Sequence, residues 1–90
     1  MANIRIPTPL RVFTGSESQV AVEGDTVGAA LANLTVRYPE LRQHLYDGEA
    51  LRNFVNVYLG EDDVRFLDGL ATAIDADTSL RIIPSIAGGL

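Results

Sequence analysis

One segment of this chain has a helical pattern, and that pattern limits what the other segments can form. The segment follows a capping residue at Asp25 or Thr26 and stops at Pro39. Its apolar residues recur at helical spacing: Val27, Ala30, Leu31, Leu34 and Tyr38. An amphipathic helix of about three turns needs an apolar surface to cover, and the remaining apolar segments are short and alternate. The pattern therefore predicts one main helix packed on a sheet.

The alternating segments supply that sheet. Apolar and polar residues alternate in predicted strands at residues 3–7, 10–13, 19–23, 54–59, 64–66 and 80–86. The first two form one strand kinked at Pro7-Thr8-Pro9, and the third completes a hairpin with it. Leu41 and Leu45 indicate a further helical turn or two, and residues 60–63 a turn. This order predicts an α+β fold of the β-grasp, ubiquitin-like type, with a mixed sheet and the helix on one face.

The charge of the chain excludes several classes of partner. The 90 residues carry a formal net charge of −5, and no cluster of basic residues offsets the repulsion from a phosphate backbone. We therefore expect no nucleic-acid partner. No apolar run approaches the roughly 20 residues that span a bilayer, and residues 1–7 lack a signal-peptide pattern. We expect a cytoplasmic protein without membrane contact.

No constellation of residues indicates an enzyme. The chain has one histidine, His44, and no cysteine, so thiol catalysis and the common metal sites lack their groups. The adjacent carboxylates Glu61, Asp62 and Asp63 diverge in a turn and lack the spacing of a calcium loop. We expect a protein with no catalytic residues and with no metal or cofactor of its own.

The C-terminal residues are the most informative for function. Gly88-Gly89 costs backbone entropy and adds no packing, so a requirement other than folding would account for it. Two residues without side chains can thread a narrow channel and present a carbonyl to another protein's active site. A frayed end rich in small residues is the alternative. The pattern divides the chain into a β-grasp domain, residues 1–86, and a flexible tail, residues 87–90.

The sequence resembles a known family, the ubiquitin-like sulfur carriers of the ThiS and MoaD type. The likeness is greatest to the CysO branch, which serves cysteine biosynthesis. It covers nearly the whole chain and rests on Ile4-Arg5-Ile6-Pro7-Thr8, Gly24-Asp25-Thr26-Val27-Gly28, Phe54-Val55-Asn56-Val57-Tyr58, Glu61-Asp62-Asp63-Val64-Arg65-Phe66, Gly69-Leu70-Ala71-Thr72-Ala73-Ile74 and Ile83-Pro84-Ser85-Ile86-Ala87-Gly88-Gly89. Such an extended match is specific for the family.

The resemblance implies how the tail would act. An E1-like enzyme would use ATP to adenylate Gly89, a sulfur donor would displace AMP to leave a thiocarboxylate, and Ala87, Gly88 and Gly89 would thread into partner active sites. In the CysO branch, a PLP-dependent cysteine synthase uses the thiocarboxylate and a JAMM-type zinc peptidase releases cysteine, so ATP, PLP and zinc belong to partners. Leu90 departs from the pattern, because an amide bond to it occupies the carbonyl of Gly89. It is either a processed extension or a cloning remnant. Nothing requires more than a monomer.

Strand alternation predicts where partners dock. If the helix covers the face that carries Val55 and Ile82, an open-face patch lies opposite, formed by Phe54, Tyr58, Arg65, Arg81 and Ile83. The two arginines would lie at its rim and steer association. Flanking loops that cover part of the patch are the alternative.

Other functions remain open at this stage. The sulfur could go to molybdopterin, thiamine or a specialised metabolite, and the same tail would serve a ubiquitin-like protein modifier. A non-covalent interaction module would not need the tail. All seven basic residues are arginine. That composition fits arginine-rich codon usage, and it also fits a protein that avoids amines near an activated carbonyl.

Overall fold

The computed structural model describes residues 1–48 and 50–84. The sequence expectations for the tail, and for Ser85 and Ile86 in the last predicted strand, lie outside the described residues. The strands are β1 Ala2–Arg5, β2 Gln19–Val22, β3 Tyr46–Asp47, β4 Ala50–Leu51, β5 Val55–Leu59, β6 Asp62–Asp63 and β7 Ser79–Pro84. The α-helices are α1 Val27–Arg37 and α2 Arg42–Leu45, and short 3₁₀ helices span Thr8–Thr14, Pro39–Leu41, Val64–Phe66 and Gly69–Ala71.

Five strands form one mixed sheet in the order β2-β1-β7-β5-β6. β1 and β7 run parallel, and the other neighbouring pairs are antiparallel. β3 and β4 form a separate small hairpin that the sequence analysis did not predict. Along the chain, α1 follows β2 and precedes the later strands of the mixed sheet. This is the predicted β-grasp arrangement.

The core lies between α1 and one face of the sheet. The helix begins as predicted at Thr26, whose side-chain hydroxyl accepts a hydrogen bond from the Ala29 amide at 3.1 Å. Its apolar stripe is buried with the inward residues of the strands: Val27, Ala30, Leu31, Leu34, Ile4, Val20, Val22, Val55, Val57, Leu80 and Ile82. The two-residue period of the strands and the helical period of α1 therefore meet in one core.

The helix needs glycine at the turn that precedes it. Gly24 has φ +152°, and a Cβ there would lie 2.6 Å from the backbone nitrogen of Ala30. A side chain at this position would collide with the first turn of α1, so the close approach of chain to helix depends on its absence.

Residues 10–13 do not continue the first strand, so that part of the prediction is wrong. They belong to the 3₁₀ helix Thr8–Thr14, which has Pro9 in its first turn, where a proline ring fits and no amide donor is needed. The amide of Leu10 donates to the carbonyl of Pro7 at 2.9 Å. Gly15, with φ 63° in the left-handed region, ends the helix.

The strand predicted at residues 64–66 is also a 3₁₀ helix. The carboxylate of Asp63 caps it by accepting a hydrogen bond from the Arg65 amide at 2.9 Å. Val64 is buried, whereas Arg65 and Phe66 are exposed. The predicted turn at residues 60–63 is shorter than expected, because Asp62 and Asp63 form β6 and pair with the end of β5.

Candidate functional site

The register of the central strands assembles the open-face patch. On β5 and β7, Tyr58 lies opposite Arg81 and Asn56 lies opposite Ile83. The alternate residues Val55, Val57, Leu80 and Ile82 are at most 3% exposed beneath α1. Phe54 and Ile83 keep 46% and 39% of their surface exposed. The predicted division of the sheet into a covered face and an open face is confirmed, and these two apolar side chains stay accessible.

Arg81 is held flat against the sheet at the centre of the patch. Its guanidinium lies 5.5 Å from the centre of the Tyr58 ring, and its Nη2 donates to the carbonyl of Gly60 at 3.0 Å. A cation over a tyrosine ring is attracted to the ring's negative face. Both acceptors are uncharged, so the positive charge of Arg81 stays available to a partner.

Arg65 has a structural task that the sequence analysis did not anticipate. Its Nη2 donates to the carbonyls of Arg52 and Val55, at 3.0 and 2.7 Å, and its Nη1 donates to the side-chain oxygen of Asn56 at 2.8 Å. These bonds tie the 3₁₀ helix Val64–Phe66 to the start of β5. Arg65 therefore shapes the edge of the patch, and its guanidinium is already occupied by three acceptors.

Two arginines beside the patch escaped the sequence analysis. Arg5 on β1 lies opposite Arg81 on β7, and Arg11 reaches the same region from the 3₁₀ helix Thr8–Thr14. Together with Arg81 they line a shallow cleft of about 250 Å³ beside the end of β7. The alternation of Ile4, Arg5 and Ile6 signals that Arg5 faces outward, but only the pairing of β1 with β7 brings it to Arg81.

The residues considered for chemistry are not assembled into a site. His44 stacks on Phe13, with ring centres 4.4 Å apart and an angle of 27° between planes. Asp63 caps the neighbouring 3₁₀ helix, and no group of three potential metal ligands is found in residues 1–48 and 50–84. Burial raises the pKa of the Tyr46 phenol, and the positive charge of Arg42 opposes that shift.

A mixed five-stranded sheet with one main helix on one face and an open opposite face defines a β-grasp, ubiquitin-like domain. The family model described as ThiS family matches residues 4–89. The chain therefore belongs to the ThiS family.

None of the helices in the described ranges is long and apolar enough to cross a membrane.

Individual relatives agree with this assignment. The chain is 43% identical to the sulfur carrier protein CysO of Mycobacterium tuberculosis over 89 residues, which cover 96% of both proteins. It matches a chain in the crystal structure of the Amycolatopsis orientalis BexX/CysO complex with a TM-score of 0.90 and 36% identity, covering 99% of this chain and 100% of the other. It is also 36% identical to small archaeal modifier protein 3 of Haloferax volcanii, covering 71% of this chain and 70% of that protein.

The comparisons confirm the predicted family, the β-grasp fold and the class of carrier protein rather than enzyme. They also show that a similar carrier assembles with another protein, since the Amycolatopsis orientalis structure is of a complex. The roles of the individual site residues stay predictions.

Proposed function

We propose that this chain is a sulfur carrier that is thiocarboxylated at Gly89 and supplies sulfur for cysteine biosynthesis. The observation that carries the proposal is the extent of the family match, which runs through the whole domain to Gly89. The 43% identity to a sulfur carrier over 96% of both chains supports the CysO branch. An open apolar surface on the domain, together with Gly88 and Gly89, which have no side chains, suits a protein that other enzymes bind and modify.

The chemistry explains why the carrier needs an activating partner. The Gly89 carboxylate is a poor electrophile, and its attack on the α-phosphorus of ATP releases pyrophosphate and forms an acyl-adenylate. A sulfur nucleophile then adds to the carbonyl carbon, the bond to the phosphate oxygen breaks, and AMP leaves. The product is a thiocarboxylate, which delivers sulfur without free sulfide. Ala87, Gly88 and Gly89 would thread into the active sites where these steps occur.

If Leu90 is native, it is removed before the first step. Hydrolysis of the Gly89–Leu90 amide adds one water across the bond and exposes the carboxylate of Gly89. A JAMM-type zinc peptidase that acts on this family of tails would suit both this step and the later release of cysteine. A PLP-dependent cysteine synthase is the proposed sulfur acceptor. We place the protein in the cytoplasm as a monomer, with ATP, PLP and zinc held by its partners.

The open-face patch is the proposed dock for the activating enzyme. Tyr58 on β5 and Ile83 on β7 offer apolar surface on adjacent strands, Phe54 adds to it from the turn before β5, and Arg81 adds a positive charge. β7, which carries Ile83 and Arg81, ends at Pro84. A partner bound there would have the C-terminal segment within reach of its active site.

Intact mass spectrometry tests the proposal. A chain ending at Gly89 is incubated with the E1-like enzyme, ATP and a sulfur donor, beside the chain that still ends at Leu90. We expect the first to gain the mass difference between sulfur and oxygen and the second to stay unchanged. A chain ending at Gly89 that remains unmodified, while a known carrier is charged under the same conditions, would contradict the proposal.

The similarity to a small archaeal modifier protein supports a second candidate, a ubiquitin-like modifier joined through Gly89 to amines of target proteins. The two functions share the adenylated intermediate and differ in the nucleophile that displaces AMP. Isolation of the protein from its host separates them, because a modifier gives covalent adducts with other proteins and a dedicated carrier gives a discrete thiocarboxylate.

A further inference from the structure

Three arginines help to line a cleft beside the end of β7. The other lining residues are mostly apolar, and the cleft has a volume of about 250 Å³. Its lining residues are Arg5, Ile6, Pro7, Thr8, Arg11, Arg81, Ile82, Ile83 and Pro84. Below it is called the arginine cleft.

Two of these arginines come from adjacent strands. Arg5 on β1 and Arg81 on β7 occupy paired positions, and both are exposed on the open face. Neighbouring strands lie about 4.8 Å apart, so the two side chains leave the sheet side by side. The guanidinium of Arg81 then extends over the ring of Tyr58 on β5, away from Arg5 on β1. The pair therefore spreads positive charge across the open face.

The residues flanking the two arginines in the same row are mostly uncharged. Gln19 lies opposite Arg5 and Tyr58 lies opposite Arg81. The next strand presents Asp63, whose carboxylate accepts the amide of Arg65. The chain holds 12 acidic residues and a net charge of −5, so the sequence as a whole is not short of carboxylates.

Arg11 and Arg81 each donate to a backbone carbonyl, which is a neutral acceptor. Arg11 donates through Nε to the carbonyl of Ile6 at 3.0 Å, and Arg81 donates through Nη2 to the carbonyl of Gly60 at 3.0 Å. These contacts fix the side chains and leave further guanidinium donors free of those bonds. Guanidinium groups bind carboxylates in a paired, bidentate geometry.

We infer that the arginine cleft binds carboxylates of an acidic segment in a protein partner that handles the tail. The inference rests on the proposed function and adds the chemistry of the partner surface. An acidic segment would pair its carboxylates with the guanidinium groups that line the cleft and place its aliphatic stems against the apolar walls. A partner selected in this way docks beside Pro84, where the C-terminal segment begins.

The walls of the cleft argue against a phosphate ligand. Phosphate sites in proteins commonly use backbone amides at a helix N-terminus or in a turn. Here Pro7 and Pro84 form part of the lining, and proline has no amide hydrogen to donate. Side-chain guanidinium groups and apolar surface remain, which suits a carboxylate on a peptide.

Fluorescence anisotropy with labelled hexaglutamate tests the inference on the full chain. At low salt we expect binding that Arg5→Gln and Arg11→Gln each weaken about three- to fivefold, because exposed charge pairs are individually modest. Arg37→Gln is the matched control, since Arg37 is exposed on α1 and also donates to one carbonyl, that of Ala21. It should weaken binding by no more than about twofold. Equal effects of all three substitutions would overturn the inference, because they would reflect net charge alone.

Competition identifies the ligand chemistry. Inorganic phosphate and AMP are added at the same ionic strength as sodium chloride controls. We expect them to displace hexaglutamate no better than the salt control does. If phosphate or AMP displaces the peptide specifically and does so through Arg5 and Arg11, the cleft is a phosphate site and the inference is wrong.

The charging reaction separates this inference from the proposed function. With the activating enzyme, ATP and a sulfur donor, Arg5→Gln should raise KM for the carrier about fivefold and leave kcat within about twofold. Wild-type protein that is never charged contradicts the proposed function. Wild-type protein that is charged with the same KM as Arg5→Gln contradicts only the inference.

A stability measurement tests for a structural role of Arg5. Because Arg5 is exposed on the open face, Arg5→Gln should change Tm by no more than about 3 °C, while peptide binding falls. A clear fall in Tm would mean that Arg5 serves the fold, and would overturn the inference.

Discussion

The guanidinium of Arg65 should be worth more to the fold than an exposed arginine usually is. It makes three hydrogen bonds of 2.7, 2.8 and 3.0 Å that join the 3₁₀ helix Val64–Phe66 to the start of β5. At a net value of about 1 kcal/mol for each bond, Arg65→Ala should lower the free energy of unfolding by about 2–3 kcal/mol. For a domain of this size, each kcal/mol corresponds to about 4–8 °C in Tm, so the expected fall is about 8–24 °C.

Thermal unfolding followed by circular dichroism measures this effect. Arg65→Lys tests the geometry, because one ammonium group cannot reproduce the forked contacts and should recover less than half of the loss. Arg37→Ala is the control, since the guanidinium of Arg37 makes a single hydrogen bond of 3.3 Å to a backbone carbonyl. If Arg65→Ala unfolds within about 2 °C of the wild type, the three contacts do not stabilise the domain. Arg65 would then be only a charge at the rim of the patch, as the sequence analysis predicted.

Three further predictions follow from the same structure. Gly24→Ala should destabilise the domain by about 3 kcal/mol or more in denaturant unfolding, because its Cβ would meet backbone at 2.6 Å, whereas Gly15→Ala, with nothing within 4 Å, should cost only about 1–2 kcal/mol. Burial raises the pKa of Tyr46 above 10.0, so stability is intact below that pH and falls above it, where the unfolded chain ionises first. Tyr46→Phe should flatten the fall in Tm above pH 10.0. Ile83→Ser should raise KM for charging about tenfold, while Val36→Ser, 78% exposed on α1, should leave it unchanged.

The main helix and the two faces of the sheet were predictable because each rests on a repeated pattern of apolar residues, and that pattern follows which side chains are buried. Four apolar residues of α1 recur over three turns, and no short-range alternative explains them. In β5 and β7 the alternation placed Val57 and Ile82 under the helix, and a shift of one residue would have reversed every side chain. Patterns of this kind are redundant, since several residues report the same face.

The short connecting segments were not predictable in the same way. Leu10 and Phe13 are three residues apart, a spacing that fits one turn of helix as well as a broken strand. Capping decided both wrong assignments: Gly15 ends one 3₁₀ helix in the left-handed region, and Asp63 starts the other. The β3–β4 hairpin was missed because strands of two residues are too short to alternate.

The sequence predicted residues of the candidate site only within individual strands, and not which strands lie next to each other. Tyr58 and Ile83 follow from alternation within β5 and β7, whereas Phe54, predicted as the first strand residue, lies in the turn before β5. The arginine cleft depends on β1 lying parallel to β7, a contact between residues far apart in the sequence that no local pattern encodes. Arg65 was placed correctly near the patch, but its contacts to Arg52 and Val55 are properties of the folded chain.

The choice of arginine over lysine joins the composition to the site. The proposed chemistry activates a carbonyl at Gly89, and an unprotonated lysine amine would attack an acyl-adenylate to form an amide. A guanidinium group stays protonated at every physiological pH and has no lone pair to offer as a nucleophile. Arg5, Arg11 and Arg81 can therefore provide positive charge where the C-terminal segment begins without competing with the sulfur donor. The same planar group also supplies the paired donors that a carboxylate requires, so one residue type meets both demands of this surface.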